Sequence, residues 1–277
     1  MRLVGLILVV IPFLAYGQDW PVAKSGKTLD QYLQDFIEVE GGSDLPHDIS
    51  KFVQKLEQRG EEKNTLKFCK TLFHKTRQEF LHDYAQYASF RETLAKGKYN
   101  CLTGTALYGM LLDHFNIDYT IIETNYHIFL LAHTAEGKAL FEATDPLYGF
   151  VTNPAEIEKR IVQYKQNTIQ AEGDKKKYYE YRVNLYQQVS LDQMSALLHY
   201  NLSIEAYNQQ NFQKAIDHLD KGLALYNSPR ITEFSGVLLL SVIESKLDEP
   251  VKERYVKRIQ AIRKKQLPVM ASRNMRD

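Results

Sequence analysis

The sequence predicts an α+β protein in which a mixed domain with one small region of strands is followed by an all-α domain. Residues 118–144 hold the only clear series of β-rich runs, bounded by turn residues and flanked by segments of helical periodicity. From residue 190 to 267 the periodicity is helical throughout. We therefore expect domains at 18–165 and 190–267, a linker or insertion at 166–189, and a tail at 268–277.

The composition excludes several classes of function. The 277 residues are 44% hydrophobic and 25% charged, as in globular proteins, and 35 Lys and Arg residues face 34 Asp and Glu residues. This balance lacks the basic field that binds nucleic acid. The eight His residues are scattered, and the sequence has no CxxC or HExxH pattern and no glycine-rich phosphate loop. We therefore expect no nucleic-acid partner, no metal and no cofactor.

The first 17 residues, MRLVGLILVVIPFLAYG, have the pattern of a secretory signal peptide. A basic start is followed by an apolar run of about 13 residues and by small residues at Ala15 and Gly17. This run is shorter than the roughly 20 residues that a membrane-spanning helix needs. We expect cleavage after Gly17, export to the periplasm or the extracellular space, and no stable membrane span in the mature chain.

Two helical segments are predicted before the strands. Residues 28–52 form short helices, interrupted by the loop GGSDLP at 41–46. Residues 64–97 keep a helical period, which predicts one long helix or two helices with a bend. Cys69 lies on the apolar stripe of this segment, so we expect it to be buried. Because exported proteins can keep disulfides, the sequence allows either a disulfide between Cys69 and Cys101 or two free thiols.

The stretch KGKYNCLTGTALYGMLLDHF, residues 96–115, places Cys101 where a polar loop becomes an apolar helix. Leu102, Ala106 and Met110 give that helix its apolar stripe. The partial positive charge of a helix N-terminus favours the thiolate form of a cysteine. Cys101 is therefore a candidate nucleophile, and its chemistry requires a base nearby.

Three strands are predicted after this helix, at 118–123, 126–134 and 138–144. His127 begins the second strand, which makes it the candidate base for Cys101. His133 points to the same side of that strand but lies at its far end. We therefore expect His127, and not His133, beside the start of the helix.

The loop between the second and third predicted strands decides which acid orients His127. The sequence TAEGK predicts a three-residue loop with glycine last in the left-handed conformation, which closes Thr134 against Lys138. His127 then faces Asp145 directly across the hairpin. A four-residue loop would shift the register by one residue and bring Glu142 to the face of His127. We expect Asp145 and keep Glu142 as the alternative.

Helical signals return after the strands, where Asn153 and Pro154 predict a helix start. Four further helices are predicted at 191–208, 212–227, 231–246 and 250–265. The first pair resembles a tetratricopeptide repeat, because apolar or small residues recur at the spacing of that unit, at Ala196, Leu202, Ala206, Phe212, Ala215, Leu219 and Gly222. We expect the two pairs to stack on each other and on the first domain.

A cysteine opens a helix, a histidine begins a strand 26 residues later, and an aspartate followed by proline ends the next strand. The segments GKYNCLTGTALY, NYHIFLLAH and LFEATDP, within residues 65–150, resemble the transglutaminase-like superfamily of papain-type cysteine enzymes. The resemblance implies a papain/transglutaminase-like core in which the nucleophile helix packs on an antiparallel sheet. It also implies that Cys101 is the nucleophile, His127 the general acid and base, and Asp145 the orienting acid.

These features together predict an exported cysteine-dependent amide hydrolase, peptidase or acyl transferase that acts on a protein or peptide. The helices that resemble a tetratricopeptide repeat would bind a protein partner or position the substrate. The alternative is a catalytically inactive scaffold of the same fold, whose two parts only bind protein.

Overall fold

The computed structural model describes residues 26–42, 49–166 and 185–273, with side chains to residue 265. The predicted signal peptide, most of the predicted linker and the end of the predicted tail lie outside the described residues. Among the helices in these ranges, none combines the length and the apolar character needed to cross a membrane.

The structure is a mixed α/β arrangement of a five-stranded antiparallel sheet, a short two-stranded pair and helices. The helices are α1 (Leu29–Val39), α2 (Ile49–Glu57), α3 (Leu66–Phe80), α4 (Phe90–Lys96), α5 (Cys101–His114), α6 (Pro154–Lys165), α7 (Leu191–Asn208), α8 (Phe212–Leu225), α9 (Pro229–Glu244) and α10 (Glu249–Arg273). The strands are β1 (Asp83–Tyr84), β2 (Lys98–Tyr99), β3 (Asp118–Thr124), β4 (Ile128–Thr134), β5 (Gly137–Phe141), β6 (Phe150–Val151) and β7 (Tyr186–Val189). Most predicted helices and strands recur with shifted ends: the predicted third strand stops at Phe141 and the last predicted helix continues to Arg273. Strands β1, β2, β6 and β7 were not predicted.

The five-stranded sheet has the order β6-β5-β4-β3-β7, and every neighbouring pair is antiparallel. Strand β7 comes from the end of the segment that was predicted to be a linker. It pairs with β3 from Ile121↔Val189 to Thr124↔Tyr186. The chain therefore returns to the sheet before it enters the C-terminal helices.

Helix α5 lies against one face of the sheet and α6 against the other. Eleven of the fourteen residues of α5 are buried, because α1 and α7 cover the side that faces away from the sheet. The same hydrophobic core continues into the C-terminal helices, through Leu191 and Met194 of α7 to Ile231 of α9. The two domains expected from the sequence thus share one core.

The segment at 64–97 divides into α3 and α4, with a short strand between them. The N–H groups of His82 and Asp83 both donate to the carbonyl of Gly97, which draws the chain out of the helix and beside β2. Ser89 then begins α4 with a capping box in which its partner is Glu92. The prediction of two helices is closer to the structure than that of one long helix.

The β4–β5 hairpin does not have the predicted register. Thr134 pairs with Gly137 and Leu130 with Phe141, so the loop has two residues and the register is one residue from the prediction. Gly137 has a φ of 136° but belongs to the ladder, and the Thr134 hydroxyl donates to its carbonyl at 2.9 Å. The Glu136 carboxylate accepts the N–H of Leu66 at 2.7 Å, at the start of α3. This long-range contact accompanies the shorter loop, and local sequence could not foresee it.

The close packing of α5 on the end of β5 gives a stability prediction. A Cβ on Gly104 would lie 2.8 Å from the Cβ of Ala143, which is short enough to force one backbone away from the other. We expect Gly104→Ala to lower the free energy of unfolding by about 1–3 kcal/mol, as overpacking does. Urea denaturation measures this difference.

The matched control is Gly236→Ala, in the interior of α9, where the nearest atom to an added Cβ is the flexible guanidinium end of Arg263 at 3.2 Å. Alanine is the better helix former, so this variant should be unchanged or more stable by up to about 1 kcal/mol. If both substitutions have the same effect, close packing at Gly104 does not constrain α5.

Candidate active site

Cys101 is the first residue of α5, and its position is fixed by Asn100. The Asn100 side chain accepts the N–H of Thr103 at 3.0 Å, and the Asn100 N–H donates to the Thr103 hydroxyl at 3.1 Å. The side-chain amide of Asn100 also donates to the carbonyls of Gln86 and Ala88, both at 3.1 Å. The helix start is therefore tied both to its own first turn and to the segment before α4.

The first N–H groups of α5 are directed out of the helix start. The N–H of Thr103 is capped by Asn100, and the N–H of Gly104 donates to the Asn100 carbonyl at 3.0 Å. Within the described residues, the N–H groups of Cys101 and Leu102 make no hydrogen bond. Unpaired donors at a helix N-terminus bind negative charge.

His127 lies in the turn that connects β3 and β4, and its side chain is 22% exposed. The ring is hydrogen-bonded to the Glu142 carboxylate, and the Cys101 side chain lies close enough to the ring to raise the pKa of His127. The Nε2–H group lies 2.5 Å from Oε2 of Glu142, which leaves Nδ1 as the ring nitrogen for the thiol. The structure therefore brings the predicted pair of Cys101 and His127 together.

Glu142, and not Asp145, is the acid that contacts His127. Its side chain is 5% exposed, and both carboxylate oxygens are fully used. Oε1 accepts the N–H of Thr144 at 3.0 Å and its hydroxyl at 2.7 Å, while Oε2 accepts from His127 and from the Tyr164 hydroxyl, the latter at 3.0 Å. A buried carboxylate is stable only when it is paired and hydrogen-bonded in this way.

Asp145 has a different task. One of its oxygens accepts the N–H groups of Leu147 at 3.2 Å and Tyr148 at 2.8 Å, which closes the turn before β6. The other lies 3.3 Å from the guanidinium of Arg160. The observed hairpin register explains the difference. With a two-residue loop, the side chain of Glu142, the first residue after β5, points to the side of the sheet that His127 faces.

The ion pair shifts the pKa values of both partners. Burial alone would lower the pKa of His127, but the negative charge of Glu142 and hydrogen bonds with Cys101 and Glu142 raise it above its ordinary 6.5. Burial alone would raise the pKa of Glu142, but the charge of His127 and hydrogen bonds from His127 and Thr144 lower it to about 2. The arrangement favours an imidazolium beside the thiol at neutral pH.

Tyr164 of α6 also borders the candidate site, and the sequence did not predict it. Its ring lies 5.3 Å from the His127 ring and 4.7 Å from the Phe129 ring, so it covers the ion pair from the side of α6. Burial, and then the nearby Glu142 charge, raise its pKa, so the hydroxyl stays protonated and donates to Glu142. Its spacing from Ile157 and Ile161 on the apolar side of α6 is the signal that could have identified it.

Cys69 and Cys101 do not form the disulfide that the sequence left open, since both are free thiols. Cys69 is fully buried in α3, and this burial, together with the charge of Glu136, raises its pKa to about 12. Cys101 is half-buried and reaches solvent. The two thiols therefore differ in accessibility, which gives an internal control for chemical modification.

Across residues 26–42, 49–166 and 185–273, no group of three or more His, Cys, Asp or Glu side chains converges as a metal site would. Comparison of the chain with protein-family models, with curated proteins and with solved structures gave no match. The resemblances to the transglutaminase-like superfamily and to a tetratricopeptide repeat therefore stay predictions.

Replacing Glu142 by Gln is expected to lower the pKa of His127. The negative charge that raises this pKa is removed, while the burial that lowers it remains. NMR titration of the His127 Cε1–H signal measures the effect, and wild-type His127 should stay protonated well above pH 6.5.

The control for this titration is Asp145→Asn, which keeps the acceptor for Leu147 and Tyr148 and removes a charge that contacts Arg160. Its His127 should titrate as in the wild type. Equal shifts in the two variants would contradict the assignment of Glu142 as the partner.

Proposed function

We propose that this protein is a cysteine-dependent enzyme that transfers the acyl group of an amide through Cys101, His127 and Glu142. The observation that carries the proposal is the shared histidine: the His127 ring is held by a buried carboxylate, and a half-buried thiol at a helix start lies close enough to raise the pKa of the same ring. Nucleophile, base and orienting acid in this order are the requirement for an activated thiol.

The acylation step follows from this arrangement. The Cys101 thiolate attacks the amide carbonyl carbon, and a C–S bond forms as the carbonyl oxygen becomes negatively charged. The N–H groups of Cys101 and Leu102 are the donors for this oxyanion. The imidazolium of His127 gives its proton to the amide nitrogen, and the C–N bond breaks. The amine departs, and the acyl group remains on Cys101 as a thioester.

The second step releases the acyl group. Neutral His127 takes a proton from water, the hydroxide adds to the thioester carbon, and the C–S bond breaks to restore the thiolate. An amine in place of water would give a new amide, so hydrolysis and cross-linking use the same residues. Glu142 stays ionised throughout and keeps the imidazolium favourable in both steps.

The proposed substrate is a protein or peptide. The enzyme would act on it in the periplasm or the extracellular space, after its own export. The substrate class follows from amide chemistry, and the location from the signal-peptide pattern of residues 1–17. The alternative is a scaffold that only binds protein, with α7–α10 as the partner surface. The two candidates differ in whether His127 activates the thiol.

Alkylation of Cys101 tests that difference directly. Iodoacetamide near neutral pH should label Cys101 rapidly and leave the buried Cys69 unmodified in the folded protein. We expect His127→Ala to slow the reaction about tenfold or more, because the imidazolium that stabilises the thiolate is lost. Peptide mass spectrometry separates the two cysteines.

In the same assay, Glu142→Gln should slow labelling, while Asp145→Asn should leave the rate within about twofold of the wild type. An unchanged rate in His127→Ala would reject the activated nucleophile and leave the scaffold as the function.

Acyl transfer itself can be measured before the natural substrate is known. An activated ester, 4-nitrophenyl acetate, should release a burst of nitrophenol and leave one acetyl group on Cys101, seen by intact-protein mass spectrometry. The thioester should then turn over in water and should pass to an added primary amine if the enzyme is a transferase. Cys101→Ser should show no burst.

His127→Ala should acetylate more slowly and should fail to turn over, because no base activates the attacking water. Stoichiometric acetylation of wild type without turnover would show a reactive thiol that is not an acyl-transfer enzyme.

A further inference from the structure

A buried polar cluster connects the end of β3 to the C-terminal helices. Glu123 is fully buried, and its Oε2 accepts from Gln187 of β7 at 3.0 Å and from the Tyr226 hydroxyl, after α8, at 3.1 Å. Its Oε1 lies 3.3 Å from Nε of Arg230, near the start of α9. A fully buried carboxylate on a sheet requires a positive partner, and here the C-terminal helices supply it.

Arg230 makes a second contact, with the backbone of Thr124, the residue that follows Glu123. One of its terminal nitrogens donates to the Thr124 carbonyl, and the guanidinium lies 5.7 Å from the centre of the Tyr200 ring of α7. Its side chain is 14% exposed. One guanidinium, carried by α9, thus contacts the end of β3 through an ion pair with Glu123 and a hydrogen bond to Thr124.

Thr124 is also the residue that closes the turn of His127. The Thr124 N–H donates to the His127 carbonyl at 2.8 Å, and the His127 N–H donates to the Thr124 hydroxyl at 3.1 Å. Asn125, the next residue in the turn, accepts the N–H of Leu185 at 2.7 Å. The backbone of the His127 turn is therefore held from outside by Arg230 and by the chain that leads into β7.

We propose that Arg230 is a positioning residue for His127, through which the packing of the C-terminal helices sets the geometry of the Cys101–His127 pair. This inference rests on the proposed function. The contacts run from Arg230 to Thr124 and from Thr124 to His127. A displacement of about 1 Å in a reacting group can cost on the order of a hundredfold in rate, so a loosened turn would be visible in the chemistry.

The test separates positioning from simple stabilisation. Arg230→Gln removes the charge and the fork, and Arg230→Lys keeps the charge but replaces the fork with a single ammonium. The matched control is Val242→Ala, a fully buried position of the same helix that lies away from the turn. Each variant is assayed as the full chain at a temperature where thermal unfolding shows it folded.

We expect Arg230→Gln to slow the alkylation of Cys101 by about tenfold, with Arg230→Lys in between. Val242→Ala should leave the rate within about twofold while it lowers the melting temperature, because a core truncation costs stability only. In a double-mutant cycle, Arg230→Gln should add nothing to the loss caused by His127→Ala, since both act through the same ring. If Arg230→Gln does not fold, Arg230→Lys carries the same comparison.

Parallel losses in Arg230→Gln and Val242→Ala, or a full additional loss in the His127→Ala background, would overturn the proposal. A different result would show that the proposed function is wrong: an unchanged alkylation rate of Cys101 in His127→Ala. In that case the His127 Cε1–H NMR signal decides the inference: Arg230→Gln should shift it and Val242→Ala should not. An unmoved signal in Arg230→Gln would reject positioning by Arg230.

Discussion

Burial of α5 along nearly its whole length is the constraint on which the site depends. A helix with eleven of its fourteen residues buried has no freedom to slide or rotate, so the residue at its first turn is fixed as firmly as the core. Gly104 lets the helix approach Ala143 closely, and Ala143 follows Glu142 directly in the chain. The packing that stabilises the fold therefore also sets how far Cys101 lies from the segment after β5 that carries the acid.

The buried carboxylate of Glu142 explains why this acid, and not Asp145, belongs to the site. Four hydrogen-bond donors surround Glu142, and two of them come from Thr144 in the turn that immediately follows. Asp145 is more exposed, and its backbone contacts close a turn. An ion pair that is mostly shielded from water is stronger than one at the surface, which is the condition for keeping His127 charged.

Much of the fold and half of the site could be predicted from the sequence, because periodicity and capping are local. The pairing of Cys101 with His127 was accessible in this way, since one opens a helix and the other directly precedes a strand. The acid was not, because the hairpin register also involves a contact between Glu136 and the start of α3, seventy residues away. Packing of the C-terminal helices on the first domain was expected, but the return of the chain to the sheet was not, because strand β7 lay inside a segment without clear periodicity.

The site is held by three parts of the chain that are distant in sequence. Asn100 ties the thiol to the segment before α4, Glu142 and Tyr164 hold the ring of His127 from the other face of the sheet, and Arg230 holds its turn from the C-terminal helices. Each of these three connections depends on a buried or half-buried polar group, and the loss of that group would leave its hydrogen-bond partner unpaired. The geometry of the candidate site therefore depends on packing across the described residues, and the C-terminal helices are a structural part of the site.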